Sequence, residues 1–216
     1  MIFNNIIGNE KNKELLKNII GTNNVAHSYI FVGKESIGKL LFAKEFAKAI
    51  LCTSEDKLCN RCKSCIEFDS NNNPDFSILE TEANSIKIDQ IRELTKKVYE
   101  KPVVSSKKVY IINDSQLMTK EAQNSLLKTL EEPPEYVTII LITSNENSFL
   151  PTIKSRCTKI AFNRLTDIEL TDILKKEYNY SDVSEIILKI AQRKHKKSIK
   201  HKRQRTRIYK NKRNIW

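Results

Sequence analysis

The segment Gly33-Lys34-Glu35-Ser36-Ile37-Gly38-Lys39-Leu40 constrains what this chain can fold into more than any other. It fits the phosphate-binding pattern G-x-x-x-x-G-K-[ST] at Gly33, Gly38 and Lys39 and departs from it at the last position. Backbone amides at a helix start, with a lysine, can cradle phosphate groups. The hydroxyl that would hold Mg²⁺ is replaced by Leu40, which has no oxygen to offer a hard cation. The segment therefore predicts the architecture of a nucleotide-hydrolysing fold without the hydrolysis, and it leaves ATP binding itself in doubt. Its flanks agree. Ser28-Tyr29-Ile30-Phe31-Val32 reads as a short apolar strand, and apolar residues at 40, 41, 43, 46, 47, 50 and 51 follow a helical period. The competing reading is an ordinary strand-to-helix turn. It fits poorly, because the chain has 4 glycines and two of them fall here.

The rest of the pattern extends that architecture. Residues 3–9 lead into a helix near Lys11–Ile20, and Asp75–Glu80 reads as a second strand. Ile88–Glu100 carries apolar residues at 88, 91, 94 and 98, again a helical spacing. Lys108–Asn113 is a third strand, Lys120–Leu130 a helix stopped by Pro133-Pro134, Val137–Thr143 a fourth strand, and Lys159–Phe162 a candidate fifth. Strands apolar on both faces, alternating with helices, imply an α/β fold with a parallel sheet covered by helices on both sides. From Thr166 to Ala191 the pattern turns wholly helical. The expected domains are a nucleotide-binding-type core over 1–163 with a cysteine insertion at 52–65, a partial helical lid over 164–192, and a basic tail over 193–216.

Charge sharpens the reading of that tail. The net charge of +12 suggests a nucleic-acid partner, but residues 193–216 hold 12 Lys+Arg and no acid, so residues 1–192 balance at 38 − 12 = 26 basic against 26 acidic. The globular part thus offers no electrostatic argument for DNA binding. The tail has almost no apolar residues and is expected to be disordered. One reading is a basic arm that grips phosphates. The preferred reading is a frameshift: with A/T-rich codons, a one-base shift after about Gln192 gives Gly-Ser-Ile-Arg-Lys-Ala-Leu-Asn-Ile-Lys-Asp-Lys-Glu, a plausible helix, so the chain is expected to be out of frame and truncated there. No secretion signal and no run of about 20 apolar residues is present, so a cytoplasmic location and no membrane contact are expected.

Two further groups carry chemistry. Cys52, Cys59, Cys62 and Cys65 form C-x6-C-x2-C-x2-C. In a cytosolic chain this pattern favours zinc over disulfides, and four thiolates leave no open position, so the site is expected to be structural and to fold a local knuckle. Redox chemistry or unmetallated thiols is the competing reading. Cys157 stands apart and is expected to be a packing residue. Val109–Asp114 ends an apolar strand in Asn113-Asp114, where phosphate-loop proteins carry an acidic pair. Asn113 is a poor Mg²⁺ ligand, so Leu40 and Asn113 together remove two oxygens from one ion. Ser155-Arg156-Cys157 follows the turn Leu150-Pro151-Thr152-Ile153; from the residues alone, Arg156 reads as a surface salt-bridge residue.

The loop, Lys108–Asp114, the run Asn124-Ser125-Leu126-Leu127-Lys128-Thr129-Leu130-Glu131-Glu132-Pro133-Pro134, and Ser155-Arg156-Cys157 together resemble the AAA+ subunits of bacterial clamp loaders. The resemblance covers about residues 1–191. Within that family, the degenerate loop with cysteines inserted after its helix points to the delta-prime type of DNA polymerase III subunit. The resemblance implies a five-subunit, ATP-driven machine that opens the ring-shaped sliding clamp and loads it on primed DNA, with delta and gamma/tau subunits as partners. It implies that Arg156 acts in trans on ATP held by a neighbouring subunit, as an arginine finger. It also implies a helical collar domain, which is expected to be missing if the frame shifts after about Gln192. The chain alone is expected to show neither ATPase nor polymerase activity. The alternatives are an active gamma/tau-type motor ATPase, which would need an oxygen at position 40 and an acid at 113, and a nucleic-acid-binding protein acting through the basic tail.

Overall fold

The computed structural model describes residues 3–4, 6–81 and 84–178, with the side chains of the last helix described as far as residue 173. It divides into two compact units, Met1–Arg164 and Leu165–Trp216. In the first unit the order is α1 Glu10–Gly21, β1 Ser28–Val32, α2 Lys39–Leu51, α3 Lys63–Asp69, β2 Phe76–Leu79, α4 Ile88–Val98, β3 Lys108–Ile112, α5 Lys120–Glu131, β4 Val137–Thr143, α6 Pro151–Lys154 and β5 Thr158–Ala161. In the second unit the described element is α7, Asp167–Tyr178. Its start is a reciprocal cap, in which Thr166 N–H and Oγ1 donate to Glu169 Oε2 at 2.6 and 2.9 Å while Glu169 N–H donates to Thr166 Oγ1 at 3.3 Å. The expected lid beyond residue 178 and the whole basic tail lie outside the described residues.

All strand pairs in the sheet are parallel, in the order β2-β3-β4-β1-β5. The strands expected from their apolar runs are present to within two residues. β3 and β4 are buried along their whole length, and β1 in all but its last residue. Alternation along each strand feeds two cores. Tyr29, Phe31, Val109, Ile111, Ile140 and Ile142 pack on one face with Leu16, Phe42 and Phe46 of α1 and α2. Ile30, Tyr110, Ile112, Ile139 and Leu141 pack on the other with Ile91, Leu94, Leu126 and Leu130 of α4 and α5. On the first face the aromatic rings interlock: Tyr29 meets Phe46 edge-on at 5.3 Å between centroids, and Phe162 lies 5.0 Å from both Phe31 and Phe42. β5 is an edge strand whose Ile160 alone is buried.

Side chains fasten the ends of this core. Asn12 Nδ2 donates to Ala161 O at 2.9 Å, and Asn9 exchanges bonds with Asn163 at 3.2 and 2.9 Å, tying α1 to the exit from β5. Asp75, just before β2, is 1% exposed. Its carboxylate accepts three backbone N–H groups, from Val103, Val104 and Ser105, each at 2.7 Å. Ser105 Oγ then donates to Leu51 O at 2.8 Å and lies 2.9 Å from Ser64 Oγ, which joins this loop to the cysteine insertion.

Candidate phosphate loop, metal centre and arginine

The phosphate loop leaves β1 while still hydrogen-bonded to the sheet, with Gly33 N–H donating to Thr143 O at 3.2 Å. A side chain at position 33 has no room, because a Cβ would sit 2.6 Å from Phe162 O and 2.7 Å from Ile37 Cδ1. Gly38 caps α2 with φ of 89°, the left-handed region where glycine is at ease. Lys39 is the first residue of α2 and is 7% exposed. Its Nζ donates to Gly33 O at 2.7 Å and Lys34 O at 2.6 Å, so the ammonium is folded onto the carbonyls of its own loop. Burial pushes its pKa down, with the charges of Asp114 and Glu35 pulling the other way. Gly33, Gly38, Lys39 and Asp114 are therefore brought to one place. Leu40 packs against the apolar core of its face. Asn113 follows the last residue of β3, and its amide lies 3.4 Å from Asp114 Oδ2. Asp114 has φ of 49° and accepts from Gln116 Nε2 at 3.1 Å. The position that a hydroxyl would fill carries a hydrocarbon, and the first acidic position carries an amide.

The cysteines gather between the end of α2 and the start of α3. The four sulfurs of Cys52, Cys59, Cys62 and Cys65 all lie within 4.8 Å of one another, with Cys52 Sγ 3.6 Å from Cys59 Sγ and 3.9 Å from Cys62 Sγ. A tetrahedral ion with metal–sulfur bonds of about 2.3 Å needs sulfurs roughly 3.8 Å apart, so this cluster could hold one. Backbone N–H groups point at the sulfurs: Cys62 N–H donates to Cys59 Sγ at 3.3 Å and Cys65 N–H to Cys62 Sγ at 3.5 Å. These bonds favour thiolate. The Arg61 N–H is the main cause that lowers the Cys59 pKa. Burial works against Cys62, but bonds from Cys65 and Thr53 hold it down to about 5. Burial pushes Cys65 up, and its neighbouring thiols add to that. Cys157 is not part of this cluster; it is half-buried against the core of the opposite face, and burial raises its pKa to about 11.

Arg156 sits between α6 and β5. Its Nη2 lies 2.8 Å from Glu131 Oε1, and its Nη1 donates to Thr152 O at 2.9 Å and Ser155 Oγ at 3.2 Å. Its backbone is anchored too, since Ser28 Oγ donates to Arg156 O at 2.7 Å. Two residues that sequence reasoning did not single out complete the setting. Gln123 of α5, 2% exposed, donates to Met118 O and Ser148 O and accepts Leu150 N–H at 2.8 Å, fixing the turn that leads to α6. Glu131 closes the other end of α5. A polar residue on the apolar stripe of α5 was the available signal for Gln123; nothing in the spacing pointed to Glu131.

A family model described as DNA polymerase III, delta subunit, matches residues 8–166. DNA polymerase III subunit gamma/tau of Mycoplasma genitalium is 39% identical over 182 residues, which make up 81% of this chain and 30% of that protein. Subunit delta' of Bacillus subtilis is 37% identical over 162 residues, 74% of this chain and 49% of that one. The chain thus spans between 30% and 49% of the length of these relatives. Among solved structures, a gamma subunit-related protein of Thermotoga maritima superimposes with a TM-score of 0.53 at 25% identity, over 74% of this chain and 49% of that one. The RuvB branch migration motor of the same organism shares the fold, with a TM-score of 0.52 at 15% identity over 79% of this chain and 50% of its own. Among the described residues no helix is long and apolar enough to cross a membrane. With the parallel AAA+-type sheet, its phosphate loop and the match over residues 8–166, the chain belongs to the family of DNA polymerase III clamp-loader subunits.

Proposed function

We propose that this chain is a delta-prime-type subunit, a clamp-loader component that does not hydrolyse ATP itself and supplies Arg156 to the ATP site of a neighbour. The observation that carries this is Leu40. Its half-buried hydrocarbon side chain packs against the apolar core at the motif position where a metal-binding oxygen would be needed. Asn113 puts a neutral amide where a carboxylate would hold the metal, and Lys39 is satisfied by its own loop. In this reading the core over 1–163 is a scaffold, the region from 164 is a lid, and the cysteine cluster is a structural zinc knuckle. Delta and gamma/tau subunits are the direct partners, with the sliding clamp and primed DNA engaged by the assembled complex in the cytoplasm. Arg156 adds a planar, permanently charged donor set where negative charge develops on a transferring phosphoryl group.

A gamma/tau-type motor is the second reading, favoured by the 39% identity to the Mycoplasma genitalium subunit. ATP turnover by the purified chain separates the two. The scaffold reading expects negligible hydrolysis that Lys39→Ala does not change. Turnover on the order of 1 s⁻¹ that Lys39→Ala abolishes would establish the motor. In a reconstituted complex, Arg156→Ala in a full-length subunit is expected to lower clamp-stimulated hydrolysis while leaving this subunit folded.

A further inference from the structure

We propose that Glu131 is a positioning residue for Arg156. It holds the guanidinium at the end of α6 so that the remaining donors face an anionic group carried by another subunit. The inference rests on the reading of Arg156 as a residue acting in trans.

The backbone of Arg156 needs no help from Glu131. α6 has four residues, too few to persist alone. It is fixed instead by Ile153, which is fully buried, by Gln123 bonding Ser148 O and Leu150 N–H, and by the Ser28 bond to Arg156 O. What this leaves loose is the side chain, which is 33% exposed and rich in rotamers. Two of its three contacts, Thr152 O and Ser155 Oγ, belong to its own turn and move with it. The contact from a different element is Glu131, 2.8 Å away.

Glu131 is well placed for this task. It is the last residue of α5, and Pro133-Pro134 follow, so the helix cannot continue and the Cα of Glu131 has a fixed position. α5 is also the helix whose Gln123 fixes the turn into α6, so one rigid rod sets both the backbone and the side chain of the arginine. The pair is half-exposed, and pairs of that kind contribute little to stability. A guanidinium has five N–H donors, and the three contacts occupy at most three of them. The arginine can therefore meet phosphate oxygens without leaving Glu131. That favours positioning over sequestration, in which the pair would have to break first.

The test is clamp-stimulated ATP hydrolysis by a reconstituted complex, with the variants built into a full-length subunit. Glu131→Gln is expected to lower kcat about tenfold, part of the roughly 10³–10⁵ that an arginine finger supplies, with KM for ATP unchanged. Glu131→Asp should fall between the two, and Glu132→Gln, at the exposed neighbour, should match the parent. Glu131→Gln combined with Arg156→Ala should be no slower than Arg156→Ala alone. In the isolated chain, proton exchange at the Arg156 guanidinium should quicken in Glu131→Gln. If Glu131→Gln leaves kcat unchanged or raises it while Arg156→Ala lowers it, the positioning role is wrong and the trans role stands. If Arg156→Ala itself changes nothing, both fail.

Discussion

Removing the buried Asp75 carboxylate should destabilise this fold heavily. The group is buried and accepts three backbone N–H groups at 2.7 Å, from Val103, Val104 and Ser105. Hydrogen bonds to a charged acceptor contribute about 1.5–3 kcal/mol each, which would give roughly 4.5–9 kcal/mol for the set. The donors are only part-buried, so water satisfies some of them in the variant, and about 3–5 kcal/mol is the expected cost of Asp75→Ala. At about 2–4 °C per kcal/mol for a domain of this size, Tm should fall by roughly 10 °C. The geometry also predicts a grading. Val104 and Ser105 share Oδ2, while Val103 alone uses Oδ1. An amide oriented with its oxygen at the Oδ2 site keeps two bonds and turns its NH₂ toward one donor, so Asp75→Asn should cost about half as much. Thermal and denaturant unfolding followed by circular dichroism measures both. Equal losses for Asn and Ala, or a Tm change under about 2 °C for Ala, would refute the account.

Gly33→Ala should destabilise by about 1–3 kcal/mol, because the added Cβ meets the Phe162 carbonyl at 2.6 Å; denaturant unfolding reports it, and a neutral result would mean that β5 yields. Protein purified without added zinc should carry about one zinc per chain by elemental analysis, and Cys62→Ser should loosen the insertion while the sheet signal persists; folded, metal-free protein would remove the zinc assignment. Cys157, with its pKa raised to about 11 by burial, should be about 10⁻³ thiolate at pH 8 against roughly a quarter for an ordinary thiol. Its alkylation at that pH should therefore be about 100-fold slower than that of an exposed cysteine, as followed by mass spectrometry.

The sheet was legible because β1, β3 and β4 are apolar on both faces, and short two-faced apolar strands that alternate with helices fit a covered parallel sheet and little else. The glycine loop was legible because its constraints are backbone constraints written in residue types. The cysteine spacing announced a four-sulfur cluster, and the sulfurs do meet. What could not be read was pairing between distant polar groups. Asp75 reaches residues 28 to 30 positions ahead, Arg156 meets Glu131 across 25 positions, and Asn12 meets Ala161 across 149. Such contacts depend on how helices seat on the sheet, and single charges carry no periodicity that would reveal it. The resting place of Lys39 was equally hidden: the motif marks the lysine as a phosphate ligand, whereas the structure satisfies it with two carbonyls of the same loop.

The strand order has a consequence for synthesis. β1 lies between β4 and β5, so neither of its partners exists when Ser28–Val32 leaves the ribosome. About 105 residues separate the end of β1 from the start of β4, and at roughly 5–20 residues per second that is a wait of about 5–20 s. For that interval a strand of sequence SYIFV has both edges unpaired and both faces apolar. A segment destined for an interior position of the sheet is therefore the first strand made and the one that must be kept from other chains the longest. A nascent chain arrested before residue 137 should be far more prone to aggregate, and more dependent on chaperones, than one arrested after residue 163.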